Sequence, residues 1–273
     1  MFHPKDGTVF RNWAPDEWHP SPKSPKWIEQ SAAYCSQAVQ RMGVDGIYLD
    51  ELGNGTQYKG YWGPDMKKID QRSAENDLTR ACLEGLSNRL AMCEFPPVDR
   101  MAGRYQAVLN DSASVLDIYR FAFPMKKIFR VIRCDYPLGD DMYSVNKAFF
   151  NGEGLWLDND LRNEQWYPAH ILERIRSQYQ VLREYAEYFD SEDALPLAEG
   201  TDGTILVNCF YGPRGRMICA INTSAQEAEL KLPVRGREQA RVVYQEDITE
   251  AWPGKQALRL RIKGHGVCAV LMG

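Results

Sequence analysis

Two carboxylates each close a short apolar run in the first third of the chain. Asp50 follows the run GIYL at 46–49, and Glu94 follows the run LAMC at 90–93. A pair of carboxyl groups flanking one bond can hydrolyse a glycosidic linkage, because one attacks or activates water while the other protonates the leaving oxygen. Glu51 competes with Asp50, since alternation along a strand turns only one of them inward. We favour Asp50 because it stands closest to the apolar run.

The elements before these runs are those that a parallel sheet requires. Ser24 and Pro25 begin a helix whose apolar residues recur at steps of four and three up to Met42, and Gly43 ends it. A second helix, from about Ser73 to Arg89, precedes the second run. Adjacent parallel strands lie about 4.8 Å apart, so side chains at their tips can reach the roughly 5–5.5 Å separation of a retaining pair.

The remaining pattern predicts an α/β fold followed by an all-β region. Weaker strands are expected at about 114–119, 128–134 and 155–157, and the clearest helix over 168–189. These make five strand units, whereas a closed (β/α)8 barrel needs eight. We therefore predict the C-terminal half of a TIM-type (β/α)8 barrel over residues 1–190. Short β runs separated by turn signals then predict an antiparallel sandwich of about six or seven strands over 191–273.

An open half-barrel would leave a long strand edge unpaired. The sequence therefore predicts either that a missing N-terminal half of the barrel completes the sheet or that the chain self-associates. The opening residues, MFHPKDGTVFRNW, read as the middle of a domain rather than its beginning, which also leaves open an upstream secretion signal.

The chain is rich in aromatic residues, with seven Trp and fourteen Tyr. An ordinary aromatic core and a carbohydrate cleft explain this equally well, since sugar rings present C–H faces that pack on aromatic rings. The cleft candidates are those in polar, Gly- and Pro-rich loops: Trp13, Trp18, Tyr58, Tyr61 and Trp62. Polar candidates for binding sugar hydroxyls are Glu51, Asp99, Arg133 and Asp135, although each residue of this kind is more often structural.

Composition argues against several other functions. The net charge of −4 and pI of about 5.7 disfavour a nucleic-acid partner. No stretch approaches the roughly 18 apolar residues of a membrane span. The seven cysteines are odd in number and form no CxxC, which predicts buried free thiols in a reducing compartment and no metal site. No phosphate loop or dinucleotide fingerprint is present, so no cofactor is expected.

Two stretches resemble known glycosidase-like barrels. The run SPKW at 24–27 and the run GVDGIYLDE at 43–51 are similar to a family of such barrels of undefined activity and to endo-α-N-acetylgalactosaminidases, which are α-retaining. In the latter an Asp ending the fourth strand is the nucleophile and a Glu ending the fifth is the acid/base. The resemblance places these roles on Asp50 and Glu94. The runs DYPLG at 135–139 and NKAFFNGEG at 146–154 also look like this group, so the likeness covers about residues 10–190 and implies a β-sandwich after the barrel.

Three functions remain in competition at this point. The first is a retaining glycoside hydrolase acting on α-linked carbohydrate. The second is a truncated or degenerate relative that binds carbohydrate without cleaving it. An isomerase on the same barrel has the least support, because phosphate and metal ligands are not evident. Activity on aryl α-glycosides separates the first two.

Overall fold

The computed structural model describes residues 23–49, 71–87, 89–94, 103–110, 114–133, 141–158, 167–236 and 238–273. The chain divides into two compact units, Met1–Asn110 and Asp111–Gly273. Both units contain parallel strands joined through helices, and the second unit also contains the antiparallel strands. The change of architecture predicted near residue 190 therefore falls within the second unit.

The described part of the first unit alternates helices and strands. Its elements are α1 (Pro25–Met42), β1 (Gly46–Leu49), α2 (Gln71–Gly85), β2 (Leu90–Cys93) and β3 (Ala107–Asn110). Strand β1 pairs with β2 and β2 pairs with β3, in both cases parallel. This is the helix–strand arrangement of a (β/α) barrel segment, and it confirms the predicted parallel sheet at this end of the chain.

Helix α1 begins and ends as its sequence predicts. Pro25 occupies its first turn, and Gly43 ends it with a φ of 65°, a left-handed conformation that glycine adopts without strain. Ser24 precedes the helix, but its side chain makes no capping hydrogen bond. Cys35 is buried, whereas Met42 is 76% exposed. The apolar face of α1 therefore turns away from the core in the last turn of the helix, at Met42.

Helices α1 and α2 approach each other at a glycine. A Cβ atom added to Gly85 would lie 2.4 Å from the carbonyl oxygen of Ala32, closer than any real side chain permits. Around this contact Cys35, Cys82 and Leu86 are buried. The absence of a side chain at Gly85 therefore sets how closely the helices before β1 and β2 pack.

The second unit opens with a further pair of parallel strands. Its first elements are α3 (Ile118–Ala122), β4 (Lys127–Arg133), α4 (Asp141–Asn151), β5 (Gly154–Asp158), α5 (Ala169–Glu184) and α6 (Ala186–Phe189). Strands β4 and β5 pair in parallel from Phe129 opposite Gly154 to Arg133 opposite Asp158. The strands predicted at about 128–134 and 155–157 are thereby confirmed.

The strand predicted at 114–119 is wrong. Asp117 instead precedes α3, and its carboxylate accepts a hydrogen bond from the backbone N–H of Arg120 at 3.3 Å, the usual N-terminal cap of a helix. The third parallel strand is β3, which comes earlier in the chain. The helix predicted over 168–189 is also divided, because Tyr185 leaves the helical conformation at φ −113°.

The buried face of α5 differs in part from the one that its apolar spacing predicts. The recurrence of Ile171, Ile175 and Tyr179 at steps of four predicts that all three face the core, but Tyr179 is 52% exposed. The neighbouring Gln178 is buried, and its amide nitrogen donates to the Asn146 side chain at 2.7 Å and to the Tyr244 hydroxyl at 3.3 Å. A polar network therefore decides which side of this helix faces inward.

The rest of the second unit is antiparallel. Its strands are β6 (Ala194–Leu195), β7 (Ile205–Gly212), β8 (Gly215–Asn222), β9 (Ala228–Pro233), β10 (Ala240–Tyr244), β11 (Ile248–Pro253), β12 (Ala257–Ile262) and β13 (Val267–Met272). They form one sheet of order β10-β13-β8-β7-β6 and a second of order β11-β12-β9. The run GPRG at 212–215 predicts a hairpin, and Gly212 pairs with Gly215 across a two-residue turn, as predicted.

The larger antiparallel sheet is buried on both faces. Alternate residues of β8 point to opposite sides, so that Met217 joins one cluster and Ile218 joins another. The first cluster includes aromatic residues of α4 and α6, among them Phe149 and Tyr188. The second includes leucines of the smaller sheet, among them Leu260. The helices and the smaller sheet therefore cover opposite faces of one sheet.

Candidate active site

The carboxyl ends of β1 and β2 lie level with each other. Their parallel register runs from Gly46 opposite Leu90 to Leu49 opposite Cys93. Glu94 follows Cys93 directly and is half-buried. In (β/α) barrels the catalytic groups follow the carboxyl ends of the strands, whereas the opposite edge serves stability. Glu94 therefore lies at the edge of the sheet where the chemistry of such barrels takes place.

Most of the other predicted site residues lie outside the described residues. These are Asp50, Glu51, Trp13, Trp18, Tyr58, Tyr61, Trp62, Asp99 and Asp135. Arg133 ends β4 opposite Asp158, and only its backbone is described. The structure thus defines where β1 and β2 end, and the pairing of Asp50 with Glu94 stays a prediction.

A third strand reaches the same edge and adds a residue that the sequence reasoning missed. Met92 pairs with Ala107 and Cys93 with Val108, so β3 continues two residues further, to Asn110. Asn110 is only 5% exposed. An amide can both donate to and accept from a sugar hydroxyl. The sequence signal for this residue is the apolar run AVL at 107–109, which is followed by an amide, Asn110, and a carboxylate, Asp111. Asp111 lies outside the described residues.

A buried contact between an arginine and a glutamic acid lies at the amino-terminal end of β5 in the second unit. Glu153 directly precedes β5, and its carboxylate accepts from Arg130 Nε at 2.6 Å and Nη2 at 3.1 Å. Arg130 Nη1 donates to the carbonyl of Ser114 at 3.1 Å. Both charged side chains are almost completely buried. Burial raises the pKa of Glu153 to about 8, and the positive charge of Arg130 opposes this rise.

Glu153 lies at the end of β5 opposite to the end that carries the catalytic residues in (β/α) barrels. The carboxylate occupies both of its oxygens with one arginine, and it precedes its strand rather than following it. Residues at this end of a barrel strand ordinarily stabilise the fold. We therefore assign the Arg130–Glu153 pair to structure rather than to catalysis.

A second buried network joins α5 to the antiparallel strands. Asp247 accepts from Arg174 Nη1 at 2.7 Å, from Arg174 Nη2 at 2.9 Å and from the backbone N–H of Val267 at 3.0 Å. Asn146 donates to the carbonyl of His265 at 3.0 Å. The Asp247 carboxylate therefore joins α5 to the antiparallel strands, and we assign it a structural role.

Among the described residues, no group of three or more His, Cys, Asp or Glu side chains is placed to hold a metal ion. The described cysteines Cys35, Cys82, Cys93, Cys209, Cys219 and Cys268 are buried and form no disulfide, as predicted. Cys134 lies outside the described residues. No helix in the described part of the chain is long and apolar enough to cross a membrane.

No known family and no curated protein matches the sequence. Solved glycoside hydrolases match the structure. A GH27 β-L-arabinopyranosidase from Geobacillus stearothermophilus superposes with a TM-score of 0.64 at 10% identity, covering 98% of this chain and 66% of that one. An Anoxybacillus α-amylase superposes with a TM-score of 0.63 at 12% identity, covering 100% of this chain and 70% of that one. A debranching enzyme from Nostoc punctiforme superposes with a TM-score of 0.57 at 14% identity, covering 92% of this chain and 62% of that one.

At these identities the likeness establishes the fold alone. The chain has the fold of glycosidase barrels, with parallel strands and helices followed by antiparallel strands. It spans about two-thirds of the length of the first of these structures. The class of fold expected from the sequence is thereby confirmed, and the activity is a separate question.

Proposed function

We propose that this protein is a retaining glycoside hydrolase acting on α-linked carbohydrate, with Asp50 as nucleophile and Glu94 as acid/base. The register of β1 and β2 carries the proposal. Because Leu49 lies opposite Cys93, the next residues along the two strands are Asp50 and Glu94. Groups on neighbouring strands at about 4.8 Å spacing suit the roughly 5–5.5 Å that separates the carboxyls of retaining enzymes.

The chemistry takes two steps. The Asp50 carboxylate attacks the anomeric carbon while Glu94 donates its proton to the departing glycosidic oxygen. Glu94 then removes a proton from water, which attacks the glycosyl-enzyme and releases Asp50. Each step inverts the anomeric carbon, so the product keeps the configuration of the substrate. Glu94 must therefore be protonated when the substrate binds, whereas Asp50 must be ionised.

Substrate recognition is assigned to the polar and aromatic candidates around this pair. Trp13, Trp18, Tyr58 and Trp62 would pack on sugar C–H faces. Glu51, Asp99, Arg133 and Asp135 would bind hydroxyl groups, and Asn110 joins them because β3 ends beside β2. The resemblance to endo-α-N-acetylgalactosaminidases and the folds of the arabinopyranosidase and the amylase all support a pyranoside as substrate.

Two further parts of the prediction remain proposals. The two antiparallel sheets would form a β-sandwich domain over 191–273, following a barrel segment over 1–190. The parallel sheet would be completed by an N-terminal half of the barrel or by a second copy of the chain, because exposed strand edges invite pairing. Light scattering of the purified chain distinguishes a monomer from a self-associated form.

Turnover of 4-nitrophenyl glycosides tests the proposed activity. The panel holds the α-D-galactoside, α-D-glucoside, N-acetyl-α-D-galactosaminide and β-L-arabinopyranoside. We expect the wild-type chain to release nitrophenolate from at least one of them and Asp50→Asn to release none. Asp45→Asn is the matched control, since Asp45 precedes β1 and its exposed carboxylate forms a surface ion pair with Arg89. Sugar binding without turnover would instead favour a degenerate, carbohydrate-binding protein.

A further inference from the structure

The outer face of the sheet β11-β12-β9 carries an exposed aromatic side chain, Trp252, that is not part of a hydrophobic core. Trp252 is 41% exposed on β11, while Leu258 and Leu260 of β12 are buried on the opposite face. The guanidinium of Arg261 lies 5.2 Å from the centre of the Trp252 ring, a cation–π contact that holds the indole in place. Within the described residues of these three strands, Trp252 is the large hydrophobic side chain that remains exposed.

Trp252 stands at one end of a row that crosses the sheet. It pairs with Arg259 of β12, and Arg259 pairs with Lys231 of β9. Partners in an antiparallel register share one face, so the three side chains project together and span two strand spacings, about 10 Å. Arg259 and Lys231 also line a shallow groove with Glu199, Pro233, Gly254, Lys255, Gln256 and Ala257. An aromatic platform therefore adjoins a groove lined by hydrogen-bonding groups.

Two arginines on this face each lie beside a glutamate. Arg259 lies 3.9 Å from Glu229, and Arg261 lies 3.2 Å from Glu250. This pairing opposes a strong field of one sign, which a polyanion would need. A single indole among polar side chains is also much smaller than the continuous apolar patch of a protein interface. The surface suits a neutral ligand that is apolar on one side and rich in hydroxyls at its rim.

We infer that this surface, the Trp252 face, binds a neutral oligosaccharide. A sugar ring packs its C–H side on the indole. The hydroxyls of that sugar and the next accept hydrogen bonds from Arg259 and Lys231 and both donate to and accept from the Gln256 amide. The site lies in the second compact unit, whereas Asp50 and Glu94 belong to the first. It therefore retains carbohydrate whether or not the chain cleaves it.

Affinity electrophoresis of the full chain tests this inference. Native gels contain soluble starch, galactomannan or dextran, with dextran sulfate as the polyanion. We expect at least one neutral polysaccharide to retard the wild-type chain. Trp252→Ala should weaken the apparent affinity by about fivefold or more, given the usual strength of aromatic packing. Arg259→Ala should weaken it in the same gels. Trp156→Ala, which removes a partly exposed tryptophan from β5, is the matched control and should migrate like wild type.

Three results would overturn the inference: no retardation of wild type by any neutral polysaccharide, equal retardation of Trp252→Ala, or retardation by dextran sulfate alone. Circular dichroism of Trp252→Ala confirms that the variant is folded. Turnover of 4-nitrophenyl glycosides by Trp252→Ala should equal that of wild type. Retardation that depends on Trp252, together with no turnover of any glycoside, would support binding at the Trp252 face and contradict the proposed hydrolase activity.

Discussion

Leu49 of β1 lies opposite Cys93 of β2 in a parallel register without a bulge. This pairing makes the two strands end at the same level. Asp50 and Glu94 are the residues that follow these strands in the sequence. A shift of one residue would turn the side chains of one strand to the other face of the sheet. The proposed chemistry therefore depends on the helices that set this register as much as on the carboxylates.

Replacing Gly85 by alanine should weaken the first unit. The new Cβ would lie 2.4 Å from the Ala32 carbonyl oxygen, so α1 and α2 would have to separate. Overpacking of this kind costs about 1–3 kcal/mol, which a urea titration measures as a lower midpoint. Gly103→Ala is the control, because nothing lies within 4 Å of a Cβ there. Equal stabilities of the two variants would show that the helices do not pack this closely.

The Glu153 carboxyl should make stability depend on pH. Its ordinary pKa of 4.5 rises to about 8 in the folded protein because the group is buried. The folded state thus holds the proton more tightly than the unfolded state. The resulting stabilisation is complete below pH 4.5 and is lost as the pH rises through about 8. Melting temperatures of wild type should therefore decline between pH 5 and 8.5.

Glu153→Gln removes the titrating group while keeping a hydrogen-bond acceptor for Arg130. The decline in melting temperature over this pH range should be shallower in the variant, whatever its absolute stability. Identical slopes for the two proteins would mean that Glu153 is ionised at all these pH values, with Arg130 outweighing the effect of burial.

The Arg174–Asp247 pair should matter far more than a surface pair. Asp247 is buried and accepts two hydrogen bonds from Arg174. Asp247→Ala removes this carboxylate and leaves the largely buried arginine with the Tyr244 hydroxyl and the more exposed Glu246 as neighbours. Breaking such a pair costs about 3–5 kcal/mol. The Glu187–Arg214 pair is exposed, and Glu187→Ala should cost at most about 1 kcal/mol. Chemical denaturation of both variants checks the contrast, and similar losses would contradict it.

The sequence predicts α1, β1 and β2 well because their signals are local. Pro25 and Gly43 delimit α1 through backbone preferences, and the run Leu90–Cys93 is bounded by a turn and a carboxylate. The strand ends at Leu49 and Cys93 follow from the same pattern. The positions of Asp50 and Glu94 as catalytic candidates could therefore be identified before any tertiary contact was considered.

The errors arise where tertiary contacts override local pattern. Val115 and Leu116 look like part of a strand, but Asp117 caps a short helix and the strand is completed earlier, at Asn110. That displacement is why Asn110 was missed. Helix α4 was not predicted, because its buried Asn146 breaks the apolar stripe by which a helix is recognised. Buried polar residues of this kind depend on partners that are distant in sequence.

Substituting Glu94 should affect the rates of the two chemical steps differently. Glu94→Gln removes the proton donor and should slow hydrolysis of poor leaving groups by about 10²–10⁴-fold. Activated substrates such as 4-nitrophenyl glycosides should still form the glycosyl-enzyme, since their leaving group needs little help from an acid. A burst of nitrophenolate followed by slow turnover is the expected time course. An equal loss of rate for activated and unactivated substrates would contradict an acid/base role for Glu94.

The configuration of the azide product tests the central claim most directly. Azide needs no base, so it should restore turnover of a 4-nitrophenyl α-glycoside in Glu94→Ala by attacking the glycosyl-enzyme. Two inversions then give the α-glycosyl azide. In Asp50→Gly, azide must attack the substrate itself, and one inversion gives the β-glycosyl azide. Proton NMR of the isolated products distinguishes the two anomers. We predict the α-azide from Glu94→Ala and the β-azide from Asp50→Gly, whereas exchanged anomers, or rescue of neither variant, would contradict the assignment of Asp50 as nucleophile and Glu94 as acid/base.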